Sequence, residues 1–195
     1  MPYNTVIVFS AYDILPAADL NSNFANLDYL NNKINSQFIL PASAMSPVNA
    51  AGGSLTTSGN NLYNFIDFAD GDFQIAEINH PMPSDYNGGT VTAKFYWTAN
   101  STSPNSVLWA LYGVSVADNE ALDVAYGSPQ TVLDANKTTA YKLNISDATP
   151  AITIAGSPAA GEYVLWRIAR SGADAADTLA ATARLLAVLI NYTRP

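Results

Sequence analysis

The fold class this sequence predicts is mainly β: an antiparallel, jelly-roll-like β-sandwich preceded by a short N-terminal strand and a trimeric coiled-coil helix. Three observations carry the prediction. "TVTAKFYWT" alternates Val91, Ala93, Phe95 and Trp97 against Thr92, Lys94, Tyr96 and Thr98, the period of a half-buried strand. Eight or nine short strand-like runs, broken by turn clusters and with no long helix between them, fill the chain from Asn60 onward. One segment alone, Pro16 to Phe38, has the apolar spacing of a long helix.

Four parts follow in chain order. Residues 1–15 hold the run Val6, Ile7, Val8 and Phe9, which has no polar alternation and wants burial on both faces. It is expected to anchor the chain on something else; pairing with an edge of its own assembly is the competing reading. Residues 16–38 are expected to form the stalk. Ala17, Phe24, Asn31 and Phe38 fall at heptad position a, and Leu20, Leu27 and Ile34 at d. A single Asn at a fixes register, and Phe at a favours a wide core over a tight dimer. An amphipathic helix lying on its own domain fits the same spacing. Residues 39–59 read as a linker, since Pro41, Pro47, Gly52, Gly53 and Gly59 come in quick succession. Residues 60–195 are the sandwich, with strands expected at "NLYNFIDF", "DFQIAEI", "TVTAKFYWT", "SVLWALYGVSV", "ALDVAY", "AYKLNI", "AITIA", "EYVLWRIAR" and "RLLAVLINY".

The last strand implies a partner. If Leu186, Val188, Ile190 and Tyr192 face the core, then Leu185, Ala187 and Leu189 face outward, where an antiparallel strand should be polar. Leu108, Ala110 and Tyr112 raise the same point if Val107, Trp109 and Leu111 face inward. A neighbouring copy covering these faces agrees with the heptads, and a homotrimer is expected.

Composition narrows the function. The 195 residues contain no Cys, so disulfides and thiolate chemistry are excluded, and 12% charged residues with a net charge of -8 argue against nucleic acid or an anionic membrane as partner. The start lacks a basic region and a long apolar run, so neither a secretory signal nor membrane insertion is expected. No catalytic residue, metal or cofactor is expected either. His80 is the one histidine, no glycine-rich phosphate loop precedes a helix, and no isolated carboxylate pair stands out. Asp67, Asp70 and Asp72 in "DFADGD" lack the spacing of a calcium loop and read as a turn. In "RIARSGADAADT", Arg170 is expected to bridge to Asp177 and hold the loop between two core strands. The candidate receptor loop is Asp85, Tyr86 and Asn87, which pair an aromatic face with amide and carboxylate groups suited to a sugar ring. A plain turn with Gly88 at positive φ is the favoured reading of "SDYNGG".

The order of parts, from "LPAADLNSNFANLDYLNNKIN" through "ILPASAMSPVNAAGG" to "PMPSDYNGGTVTAKFYWTA", "VLWALYGV" and "VLWRIARSGADAADTLAATARLLAVLINY", resembles the fibre and capsid-decoration proteins of tailed bacteriophages, head fibres and tail fibres alike. It departs from them at Pro16, where a capping Thr is usual. The resemblance implies a homotrimeric virion structural protein at the virion surface. Its N-terminus would hold a phage capsid or tail protein, and its jelly-roll knob would serve host or surface attachment, with a host-surface glycan as candidate ligand. A carbohydrate-binding module and a filament subunit joined by N-terminal strand exchange are the alternatives.

Overall fold

Period-two alternation builds the core. In strand β6 (Thr92–Ala99) Ala93, Phe95 and Trp97 turn inward and are fully buried, while Thr92, Lys94 and Tyr96 face out. The computed structural model describes residues 35–48, 53–57, 59–61 and 63–194. The expected anchor Val6, Ile7, Val8 and Phe9 and the seam positions Ala17, Leu20, Phe24, Leu27, Asn31 and Ile34 lie outside them.

Two antiparallel sheets face each other. Strands β4 (Asn64–Phe68), β6, β9 (Asn144–Ile145) and β11 (Ala183–Thr193) form the first in the order β4-β11-β6-β9. Strands β5 (Phe73–Asn79), β7 (Ser106–Val116), β8 (Gln130–Ala135) and β10 (Tyr163–Ser171) form the second in the order β5-β10-β7-β8. Strands β4 to β7 alternate between sheets, as do β9 to β11, and this double Greek-key order is that of a jelly roll. Three strands from the N-terminal side extend it. β1 (Asn35–Pro41) pairs with β11, β2 (Ser46–Pro47) with β5, and β3 (Ser54–Thr57) with β4.

These three strands correct the end of the expected stalk, residues 35–38, and the expected linker. Phe38 does not sit at a helical seam: β1 runs antiparallel to β11, and Phe38 stacks on His80 at 4.8 Å and packs edge-on against Trp166 at 5.9 Å. Phe38 and Leu40 turn toward the core at a spacing of two, and Pro41 favours an extended Leu40. Residues 39–59, expected to lack regular structure, contribute the end of β1, a 3₁₀ turn at Ala42–Ala44, β2 and β3. The described residues contain no α-helix.

A bulge corrects the facing of β11. Leu185 pairs with Trp97 but Ala187 pairs with Tyr96, so Leu186 is an extra residue and the inward set changes parity across it. Leu185 therefore lies in the core, fully buried, together with Val188 and Ile190, while Ala187 and Leu189 do face outward. Among the other expected strands, "ALDVAY" is a loop and "AITIA" makes isolated bridges at Ile152 and Ala155. "QTVLDA", where no strand is expected from sequence, is β8.

Between the sheets, Trp109 stacks on Phe95 at 5.5 Å and meets Trp97 and Phe68 edge-on. Opposite Trp109 in the register lies Arg170, fully buried among these apolar side chains. All five of its N–H donors are engaged. Nε and Nη2 grip the Asp177 carboxylate at 3.0 and 2.8 Å, Nη2 also reaches the Leu179 carbonyl at 2.6 Å, and Nη1 donates to the carbonyls of Phe68 and Ala181 at 3.0 and 2.7 Å. Asp177 in turn accepts the Leu108 amide at 3.0 Å. One ion pair thus ties the β10–β11 connection to the end of β4 and the start of β7. Removing one partner strands the other charge in the core, so Arg170→Met is expected to lower the unfolding free energy by about 3–5 kcal/mol. Arg170→Met with Asp177→Leu should recover part of that loss in denaturant titrations; a loss below about 1 kcal/mol for the single variant would show that the pair supports nothing.

Candidate functional site

On the outer face of the first sheet, Arg184 stands at the start of β11 beside Asp67 of β4, its register partner. Its Nε donates to Asp67 Oδ1 at 3.1 Å, and its guanidinium lies 4.8 Å from the Phe65 ring centroid and 5.3 Å from that of Tyr141. Burial raises the Asp67 carboxyl above its ordinary pKa, with the Arg184 charge and hydrogen bond acting against that rise. Tyr63 tilts against Phe65 at 5.7 Å. With Thr56, Thr57, Asn60 and Asn61, the side chains of Tyr63, Phe65, Tyr141 and Arg184 line an open groove of about 590 Å³.

Tyr141 is the unusual member. Its φ is +62°, a left-handed conformation that a bulky side chain rarely adopts, and the residue is 53% exposed. The surroundings hold it there. Its amide donates to the Ala99 carbonyl at 2.8 Å, and the Thr98 hydroxyl donates to the Lys142 carbonyl at 2.7 Å. The buried Asn144 fastens the loop from beneath, accepting the Lys137 amide at 2.9 Å and donating to the Lys142 and Trp97 carbonyls at 3.3 and 3.4 Å. Backbone strain and three fasteners present an aromatic face to solvent over a cation already paired. Such a site can stack a flat apolar ring face and hydrogen-bond its rim through guanidinium, hydroxyl and amide groups.

The expected receptor loop is built differently. The Tyr86 ring is only 4% exposed and its hydroxyl donates to the Gly89 carbonyl. Asp85 accepts the Tyr192 hydroxyl at 2.7 Å, and Asn87 Oδ1 accepts the Gly89 amide at 3.0 Å and the Thr193 hydroxyl at 2.9 Å. Gly88 has a φ of +84°. The polar groups are engaged by the turn and by the end of β11, and the Tyr86 ring is not free to stack on a sugar. His80 pairs its Nδ1 with the Pro81 carbonyl oxygen at 2.8 Å beneath Phe38. Asp70 and Asp72 flank Gly71, at φ +81°, in a turn where the Asp72 carbonyl accepts the Gly172 amide. Among the described residues no three His, Asp or Glu groups are placed to share a metal ion.

Sequence reasoning missed the groove because its parts come from three separate strands and two loops. Arg184 and Asp67 each sit at outward positions of strands that the sequence did predict, and their opposite charges were the available signal. Nothing local marks Tyr141, which lies in a run that reads as strand.

No protein-family model and no curated protein sequence matches the chain. Among solved structures it is similar to a Paenibacillus sp. cycloisomaltooligosaccharide glucanotransferase complexed with cycloisomaltoheptaose, at TM-score 0.48 and 14% identity over 81% of this chain; it spans 19% of that enzyme's length. It is also similar to the CBM36-1 domain of a multidomain xylanase from the hindgut metagenome of Trinervitermes trinervoides, at TM-score 0.47 and 10% identity over 82% of this chain and 99% of that one. A CBM35 domain from Cellvibrio japonicus gives TM-score 0.44 and 9% identity over 82% and 99%.

If Tyr141 is strained for exposure rather than for packing, Tyr141→Asn should leave the thermal midpoint unchanged or raised. Asn tolerates the left-handed region, and relief of about 1 kcal/mol there offsets a lost cation–π contact of about 0.5–1 kcal/mol. A loss above about 2 kcal/mol would make Tyr141 a packing residue instead.

Proposed function

We propose that this chain is a glycan-binding β-sandwich that attaches its bearer to a sugar-coated surface, and that the groove under Tyr141 is its site. The single observation supporting this most is the strained, exposed Tyr141 ring held over Arg184. Strained residues cluster where a surface is preorganised for a ligand, and a preformed site loses less entropy on binding. The chemistry of the lining suits a sugar, which offers an apolar ring face for stacking and hydroxyls for hydrogen bonds. It suits a nucleic acid poorly: Arg184 is the one cation among the described residues lining the groove and is held by Asp67. Titration calorimetry against a panel of soluble plant and bacterial polysaccharides is expected to give binding to at least one, abolished by Tyr141→Asn. A panel without binding, or binding indifferent to Tyr141→Asn, would remove the groove from consideration.

A second reading concerns where the sandwich is mounted, and the outer face of the second sheet favours it. There Phe73 is 45% and Leu133 50% exposed, beside Leu108 and the small satellite cluster of Ile75, Ala110, Ala169 and Tyr112. An antiparallel sheet that presents such a face to water is suited to a protein partner. On this reading the head is the knob of a homotrimeric fibre or decoration protein at a virion surface, its copies meeting through this face and its N-terminal segment docking on a capsid or tail protein. Light scattering at micromolar concentration should give three times the chain mass, and Leu108→Asp with Leu133→Asp should reduce it; a monomeric wild type would contradict the reading.

A further inference from the structure

The groove is one end of a longer surface, whose role rests on the glycan-binding reading of that groove. Outward side chains of the first sheet fall in rows across the strands. From the groove onward they run Asp67, Arg184 and Thr98, then Ala187 and Tyr96 with Ile145 beside them, then Ile39, Leu189 and Lys94, and last Gln37, Asn191 and Thr92. At the far end Thr90, Thr92, Lys94, Asn191 and Thr193 border a second hollow of about 410 Å³. Two hollows therefore share one sheet face; between them stand the half-buried Tyr96 and Ala187 over the buried Leu189, with exposed Ile39 and Ile145 at the edges, and none of these is a carboxylate.

Length and charge select the kind of ligand. Arg184 and Thr193 are nine residues apart on β11, roughly 30 Å at about 3.3 Å per residue, which exceeds a single sugar ring several times over. The chain as a whole has a net charge of -8, yet among these rows Asp67 is the one carboxylate, and it is engaged by Arg184; Lys94 forms no ion pair among the described residues. Hydroxyl and amide groups of Thr92, Asn191 and Thr193 offer both donors and acceptors at the far hollow. We infer that this face holds a linear, neutral or acidic oligosaccharide laid along β11, with one part stacked on the solvent-facing side of Tyr141 and a later part hydrogen-bonded at Lys94 and Asn191. A terminal monosaccharide would use only the groove.

The test is titration calorimetry of the full chain with β-1,4-linked gluco-, xylo- and galacto-oligosaccharides and with oligogalacturonates, each from disaccharide to hexasaccharide. Affinity for the series that binds is expected to rise about tenfold or more from disaccharide to hexasaccharide, the worth of one or two added hydrogen bonds. The double variant Lys94→Ala with Asn191→Ala should weaken the hexasaccharide more than the disaccharide, whereas Tyr141→Asn should weaken both. Affinity that is flat with length, but still sensitive to Tyr141→Asn, would overturn the extended surface and leave the groove standing as a pocket for a chain end. Absence of binding by every series would overturn both.

Discussion

A single buried cation constrains this fold more than any apolar contact does. Arg170 sits in the core with all of its donors engaged by one carboxylate and three backbone carbonyls. A guanidinium in such a place is tolerable only if its partners stay in position, because the desolvation it has undergone is recovered through those contacts and the Asp70 carboxylate 3.6 Å from Nη2. The carbonyls of Phe68 and Ala181 mark the end of β4 and the approach to β11, so satisfying Arg170 sets these two strands side by side. Asp67 and Phe65 on β4 are thereby brought to Arg184 on β11. The inward-facing ion pair positions the outward-facing one, and the groove on the surface is a consequence of the geometry demanded in the core.

The groove itself shows how strain is held in place. A tyrosine at positive φ would relax if its loop were free, but Asn144 and Thr98 bind the loop carbonyl of Lys142, and the Tyr141 amide is tied to Ala99. Asn144 is fully buried, and losing its amide would leave several backbone groups unpaired, so the loop has little freedom to rearrange. The contrast with Tyr86 is instructive. That ring lies in a loop with every outward sign of a binding surface, yet it is turned inward and its hydroxyl closes the turn.

Much of the sandwich was legible in the sequence because strand periodicity is local. The boundaries of β7 were readable to the residue, and β6, β10 and β11 nearly so, since Phe95 and Trp97 or Trp109 and Leu111 recur at a spacing of two. The Arg170–Asp177 pair was legible too, because two opposite charges close in sequence between apolar strands have few other arrangements. Phe38 misled because it completes a heptad with Ala17, Phe24 and Asn31 as well as an alternation with Leu40; pairing along β11 decided for the strand. Leu185 misled because a bulge inserts one residue and reverses the inward set, and that insertion depends on the partner strand β6 rather than on β11 alone. Tyr141, Phe65 and Arg184 meet across long stretches of chain, and only the folded topology brings them together.

Recognition of carbohydrate by the face around Tyr141, Phe65 and Arg184 is the central claim. Titrating isotope-labelled chain with a mixture of soluble polysaccharides, and following backbone and side-chain resonances, tests it without prior choice of sugar. The expected result is a set of shifts concentrated at Tyr141, Arg184 and Phe65 and spreading along the outward residues of β11. Shifts confined to residues 84–89 or to Phe73 and Leu133 on the opposite sheet, or no shifts at all, would contradict it.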